Sequence, residues 1–163
     1  MKKPASEQDV DEAERQLGAK LPGDYRKFLT THGETELLIR LPEHSSELRF
    51  YKPAELAMQR DNLFKFITLR EKNHEKVAAY FRKEYGVSLR DLVPVAEPAQ
   101  ESRCVVIHLE KGDRFGWCFH WDHDGAWELE QPSPNFDAAL KALTDGIAQR
   151  DTAMLSFLGV FLD

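Results

Sequence analysis

Cysteine is the scarcest informative residue in this chain: only Cys104 and Cys118 occur among 163 residues. Two well-separated thiols supply neither a disulfide scaffold nor the close ligand spacing of a zinc motif. Glycine is also sparse, with nine residues scattered along the chain. No glycine-rich loop precedes a helix and no serine sits in a nucleophile elbow, so the common nucleotide-binding and hydrolase signatures are missing. No apolar run approaches the roughly 18 residues of a membrane span. Positive charge is in deficit, with 22 Lys and Arg against 28 Asp and Glu and a formal net charge of -6. Such a balance repels phosphate backbones, which argues against direct nucleic-acid binding, and speeds association with a basic protein. Met1-Lys2-Lys3 is followed by Pro4-Ala5-Ser6-Glu7 rather than by the apolar core of a signal peptide, so a cytoplasmic protein with reduced thiols is expected.

What is present suits one domain over residues 1–163, with a core large enough to close without a disulfide or metal. Ser6 and Asp9 have capping spacing, and Val10, Ala13, Glu14 and Leu17 follow a helical period up to Gly18, which predicts a helix over 7–17. Leu21-Pro22-Gly23-Asp24 restarts the chain, and Tyr25, Phe28 and Leu29 form the apolar stripe of a second helix ending at His32-Gly33. Short strands are expected over 37–41 and 48–51, then two helices between Ala54 and Tyr85 broken near Lys72-Asn73-His74. Leu92-Val93-Pro94-Val95-Ala96 reads as a strand with an edge or bulge at Pro94. A helix from Ser133-Pro134-Asn135-Phe136 to about Gly146 and an apolar segment over 152–162 complete the pattern. In the 54–85 tract the basic residues alternate with Glu55, Asp61, Glu71, Glu75 and Glu84, as on solvated helices, which weighs against a nucleic-acid surface there.

The segment from Phe115 to Trp127 concentrates aromatic rings, His120, His123, Asp122 and Asp124. A period of two resolves most of it. Phe115, Trp117, Phe119 and Trp121 alternate with polar positions, as Val105, Ile107 and Leu109 do in the preceding strand. Aligning these two faces places Leu109 opposite Phe115 and Ile107 opposite Trp117, with a turn at Gly112. The same reasoning places Trp121 opposite Trp127 and makes His123-Asp124-Gly125 a three-residue hairpin loop. In that register Cys104 and Cys118 are diagonal neighbours at best, so free thiols are expected. His120 and Asp122 share a strand face and could ligate a metal with Cys104 or His108, but the spacings match no metal signature. Cys118 and His120 lie roughly 7 Å apart along one face, too far for a thiol–imidazole pair. No cofactor, metal or catalytic residue is therefore assigned.

The N-terminal pattern, Val10, Glu14, Leu17-Gly18, Leu21-Pro22, Tyr25 and Phe28-Leu29, resembles the Ile/Val-x-x-x-Glu-x-x-Leu-Gly-x-x-Leu-Pro-x-x-Tyr-x-x-Phe-Leu motif of the SUKH superfamily of Smi and Knr type domains. His32-Gly33 stands where the family usually has Asn-Gly. The strands at 92–96, 105–109 and 116–124 and Phe136 in the closing helix follow in the family's order, while the segment 60–85 and the residues after Gly146 are the least similar. The resemblance implies an α+β fold with helices packed on a mainly antiparallel sheet and no catalytic machinery. It implies protein binding: bacterial members commonly neutralise a toxin, often a nuclease, as immunity proteins, and fungal members regulate cell-wall synthesis. A cognate toxin domain is the expected partner, with no nucleic acid or membrane contacted directly. Glu34, Glu36, Asp122, Asp124, Glu128 and Glu130 are the candidate partner-binding residues. A regulatory interaction module is the alternative, and a metal-dependent enzyme using His120 and Asp122 is the third reading.

Overall fold

A computed structural model describes residues 3–33, 35–40, 45–98, 102–122 and 127–160. Helix α1 (Glu7–Leu17) starts on a capping box in which Ser6 Oγ accepts the Asp9 N–H and Asp9 accepts the Ser6 N–H, and it stops at Gly18 with φ 67. Helix α2 (Gly23–His32) follows after Leu21-Pro22 and ends at Gly33. That glycine is sterically required, because a Cβ there would fall onto the Lys3 carbonyl oxygen and within 2.8 Å of Pro4 Cα. Strands β1 (Glu36–Arg40) and β2 (Ser45–Phe50) come next, then α3 (Leu56–Arg70) behind a short 3₁₀ turn at Pro53–Glu55, and α4 (His74–Tyr85). Strands β3 (Leu92–Pro98), β4 (Arg103–His108), β5 (Cys118–Asp122) and β6 (Leu129–Ser133) precede α5 (Phe136–Ala148) and α6 (Thr152–Phe157). The Asn135 side chain caps α5 by accepting the Ala138 N–H at 2.8 Å.

Among the described residues the six strands form one antiparallel sheet in the order β1-β2-β3-β4-β5-β6, with helices packed against it, the α+β architecture expected. Pro94 lies at a register shift inside the sheet, so the bulge is present although β3 is an internal strand. The family-like residues build one side of the sheet. Tyr25 and Phe28 meet Phe136 of α5 at 4.8 and 4.9 Å between ring centroids, and Phe28 meets Phe50 of β2 at 5.0 Å. Val10, Leu17, Leu21, Val105, Ile107, Leu143 and Leu155 complete that core.

A second core occupies the opposite side, where Leu63, Ile67, Val77 and Phe81 of α3 and α4 cover Cys104, Val106, Phe119 and Trp121. This arrangement overturns the expected register. Val106 stands opposite Phe119 and Ile107 opposite Cys118, one residue from the predicted alignment, and Cys104 faces Trp121. Matching one apolar face to the other is valid only where a strand has a single buried face. Both faces of β4 and β5 are buried, so the aromatic face of β5 pairs with Cys104 and Val106 rather than with Val105 and Ile107. The β5–β6 alignment also differs, with Trp121 opposite Leu129 instead of Trp127. Phe115 and Trp117 precede β5, although Trp117 still accepts the His108 N–H at 2.9 Å. The predicted His123-Asp124-Gly125 loop lies outside the described residues.

Glu14 has the least obvious role in the N-terminal motif. It is buried, yet its carboxylate accepts the Leu21 N–H at 3.0 Å and lies 2.6 Å from Lys20 Nζ and 3.1 Å from Arg26 Nη1. Arg26 also reaches Glu7 and Asp11, which ties the front of α1 to α2. Burial by itself would raise the Glu14 pKa, but bonds from Lys20, Leu21 and Arg26 outweigh it and hold the carboxyl below its usual value. Glu14→Gln is expected to destabilise the fold by about 2 kcal/mol at pH 7, since the charged acceptor shared by the buried Leu21 N–H and the Lys20 and Arg26 cations is lost. A depressed carboxyl pKa contributes stability above the unfolded-state value near 4.5 and loses it as pH falls below that. The gap between variant and wild type in urea unfolding should therefore shrink below pH 4.5.

Candidate protein-binding surface

The sheet divides the sequence-derived acidic candidates between its two edges. Glu36 opens β1 at one edge, while Asp122, Glu128 and Glu130 lie at or beside β5 and β6 at the other. Glu34 and Asp124 lie outside the described residues. Among the described candidates, Asp122 and Glu130 are the two brought together. Glu130 stands opposite His120, and Asp122 is two positions along from it, so all three occupy one face. They line a cleft of about 270 Å³ with Arg103, Ser156 and Phe157.

Helix α6 forms the other wall of this cleft, so the face carrying His120 is covered rather than open. Phe157 stacks on the imidazole at 4.0 Å between centroids with 18° between planes. Two side chains from the sheet hold the end of α6: Arg103 donates to the Ser156 carbonyl, and Ser46 Oγ donates to the Leu158 carbonyl at 2.6 Å. Arg103 also binds Asp122 at 3.2 Å, leaving that carboxylate about two-fifths exposed. Burial lowers the His120 pKa to about 4, so the ring is neutral near pH 7. The cleft thus holds the Asp122 and Glu130 carboxylates beside a neutral imidazole, with the Arg103 guanidinium already bound to Asp122.

The alternative uses of these residues separate in space. Cys104 and His108 lie on the far face of β4 from His120, so they cannot complete a ligand set with it. Among the described residues no three His, Cys, Asp or Glu side chains gather where a metal could be held. His108 instead accepts the Ser88 N–H on Nε2 at 3.0 Å, which puts its proton on Nδ1 facing the Arg114 carbonyl, also at 3.0 Å. Cys104 and Cys118 are free and buried on opposite sides of the sheet, as expected of reduced thiols. Burial pushes both thiols up, which disfavours the nucleophilic thiolate.

Sequence reasoning passed over the exposed apolar side chains. Leu38 on β1, Met58 and Leu69 on α3, and Tyr80 on α4 all reach solvent. Their signal was an apolar residue on the polar side of its element's period, visible for Leu38 once β1 is known to be an edge strand. Among the described residues no helix is long and apolar enough to cross a membrane.

No curated protein matches the chain. Residues 4–142, well over half of the sequence, match the SMI1 / KNR4 family (SUKH-1), and they include α1, α2, all six strands and the motif built around Glu14, Tyr25 and Phe28. The chain belongs to the SMI1 / KNR4 family (SUKH-1).

Proposed function

We propose that this chain is a non-enzymatic protein-binding domain that acts as an immunity protein, neutralising a basic toxin domain by occupying its substrate-facing surface. Family membership carries the protein-binding reading. The net charge of -6, with Asp122 and Glu130 sharing a cleft at the β6 edge of the sheet, supports a basic partner. A nuclease exposes cationic side chains for its phosphate substrate, and an acidic surface complements them. Charge of this kind mainly raises the association rate and fixes orientation, so binding should weaken as salt rises.

Co-expression with a toxin domain encoded beside the gene tests the reading. Restored growth and a complex on gel filtration are expected; absence of both rejects it. Asp122→Lys and Glu130→Lys should each weaken that complex by about tenfold, read by calorimetry at low salt. Asp122→Lys also removes a partner of Arg103, so Glu130→Lys is the cleaner probe of charge. A regulatory module of the cell-wall type would instead be favoured if pull-downs recover signalling or envelope proteins and no toxin.

A further inference from the structure

The two edges of the sheet are built differently. β6 contains Pro132, which has no N–H to offer, and Gln131 at φ 49, and its pairing with β5 shifts between Cys118 and His120. Proline and a bulge are the usual means by which an edge strand refuses a further strand. β1 has neither. Its five residues, Glu36-Leu37-Leu38-Ile39-Arg40, pair with β2 without a shift, and the central Leu38 is 52% exposed.

Backbone direction follows from one bond. The Phe50 N–H donates to the Thr35 carbonyl at 2.8 Å, and the β1–β2 register continues that pairing into Glu36 opposite Arg49. Alternation in an antiparallel ladder then turns the backbone groups of Leu37 and Ile39 toward β2, and those of Glu36, Leu38 and Arg40 toward the outer edge. Side chains alternate likewise. Ile39 enters the core and Leu37 packs against it, whereas Glu36, Leu38 and Arg40 are exposed on the other face.

We propose that β1 pairs antiparallel with β1 of a second copy of this chain, about a twofold axis at Leu38, joining two six-stranded sheets. The segment is self-complementary in that register. Glu36 stands opposite Arg40 of the second copy, Leu38 opposite itself, and Arg40 opposite Glu36, and all three carry outward backbone groups. Leu37 and Ile39 face each other on the core side. Opposite charges across an antiparallel pair are favourable and like charges are not, so the charges select the antiparallel twofold arrangement over a parallel one. One strand pair is a small interface, so the dimer should depend on concentration. The surface lies at the opposite edge from the Asp122–Glu130 cleft, so this inference and the toxin-binding reading can fail separately.

Sedimentation equilibrium of the full chain from micromolar to millimolar concentration tests it. Wild type is expected to pass from monomer to dimer. Leu38→Pro removes the central outward N–H without touching the groups bonded to β2, and should abolish the dimer while far-UV circular dichroism stays that of the wild type. Glu36→Arg and Arg40→Glu should each weaken self-association by about tenfold or more through two like-charge pairs. An equimolar mixture of the two variants, and the double variant, should recover it. A wild type that stays monomeric throughout, or charge variants that dimerise as the wild type does, would overturn the proposal.

Discussion

Replacing Trp121 with alanine is expected to cost about 3–5 kcal/mol of folding stability, the largest effect of any single substitution considered for this chain. Trp121 is fully buried at the centre of the second core. Phe81 of α4 meets its ring edge-on at 5.3 Å, and Trp127 lies 6.1 Å away. Truncation removes the contact that fastens α4 to β5 and leaves a cavity between rigid elements that cannot collapse to fill it. Domains of ordinary stability have only about 5–15 kcal/mol in total, so the variant should unfold at a much lower urea concentration. Trp121→Phe should cost far less, because its Nε1 makes no hydrogen bond among the described residues and the aromatic contact with Phe81 is kept. A Trp121→Ala loss below about 1 kcal/mol would mean that α4 does not pack on β5 as described.

Acidification from pH 7 to pH 5 is expected to remove about 2 kcal/mol of stability through His120 alone. The sign follows from where the proton goes. Burial depresses the folded-state pKa to about 4 from an ordinary value of 6.5. Above pH 6.5 neither folded nor unfolded chain is protonated there and nothing is lost. Between 6.5 and 4 the unfolded chain takes up a proton that the folded chain refuses, so stability falls as pH falls, and the loss levels off below about 4. The charged groups facing the ring are Arg103 on β4, Asp122 on β5 and Glu130 on β6, while α6 presents Ala153, Ser156 and Phe157. His108 is also held below its ordinary value by burial and acts in the same direction. Urea unfolding of wild type and His120→Leu at pH 7 and pH 5 isolates His120: the pH-dependent loss should be about 2 kcal/mol smaller in the variant. An unchanged pH dependence would show that the imidazole takes up its proton without leaving the stack on Phe157.

Both experiments depend on features that differ in how far they can be read from sequence. Local boundaries were legible because short-range chemistry sets them. The Ser6–Asp9 capping box, the Gly18 stop and the Asn135 cap each act within a few residues, and the helical stripes through α1 and α2 report their buried faces directly. The strand alternation in β4 and β5 was equally visible, yet it led to the wrong register. Period-two reasoning assumes one wet face, and α3 and α4 cover the face that α1, α2, α5 and α6 do not. Nothing local marks that second cover, since α3 carries apolar residues around much of its circumference.

Glu14 shows the same division within one residue. Its helical position was readable, but its role depends on Leu21 and Arg26 converging on a buried carboxylate. The acidic candidates separate similarly: their charge belongs to composition, whereas Asp122 and Glu130 share a cleft only because β6 returns beside β5 and α6 folds over both. The sequence by itself determined the element order, most helix ends, the family and the sign of the surface charge, all properties of residues and their near neighbours. The tertiary structure alone decided which sheet faces are buried, which strand pairing prevails, that His120 lies beneath Phe157, and that β1 is an edge strand of the sheet among the described residues, because each of these follows from elements distant in sequence competing for the same apolar surface.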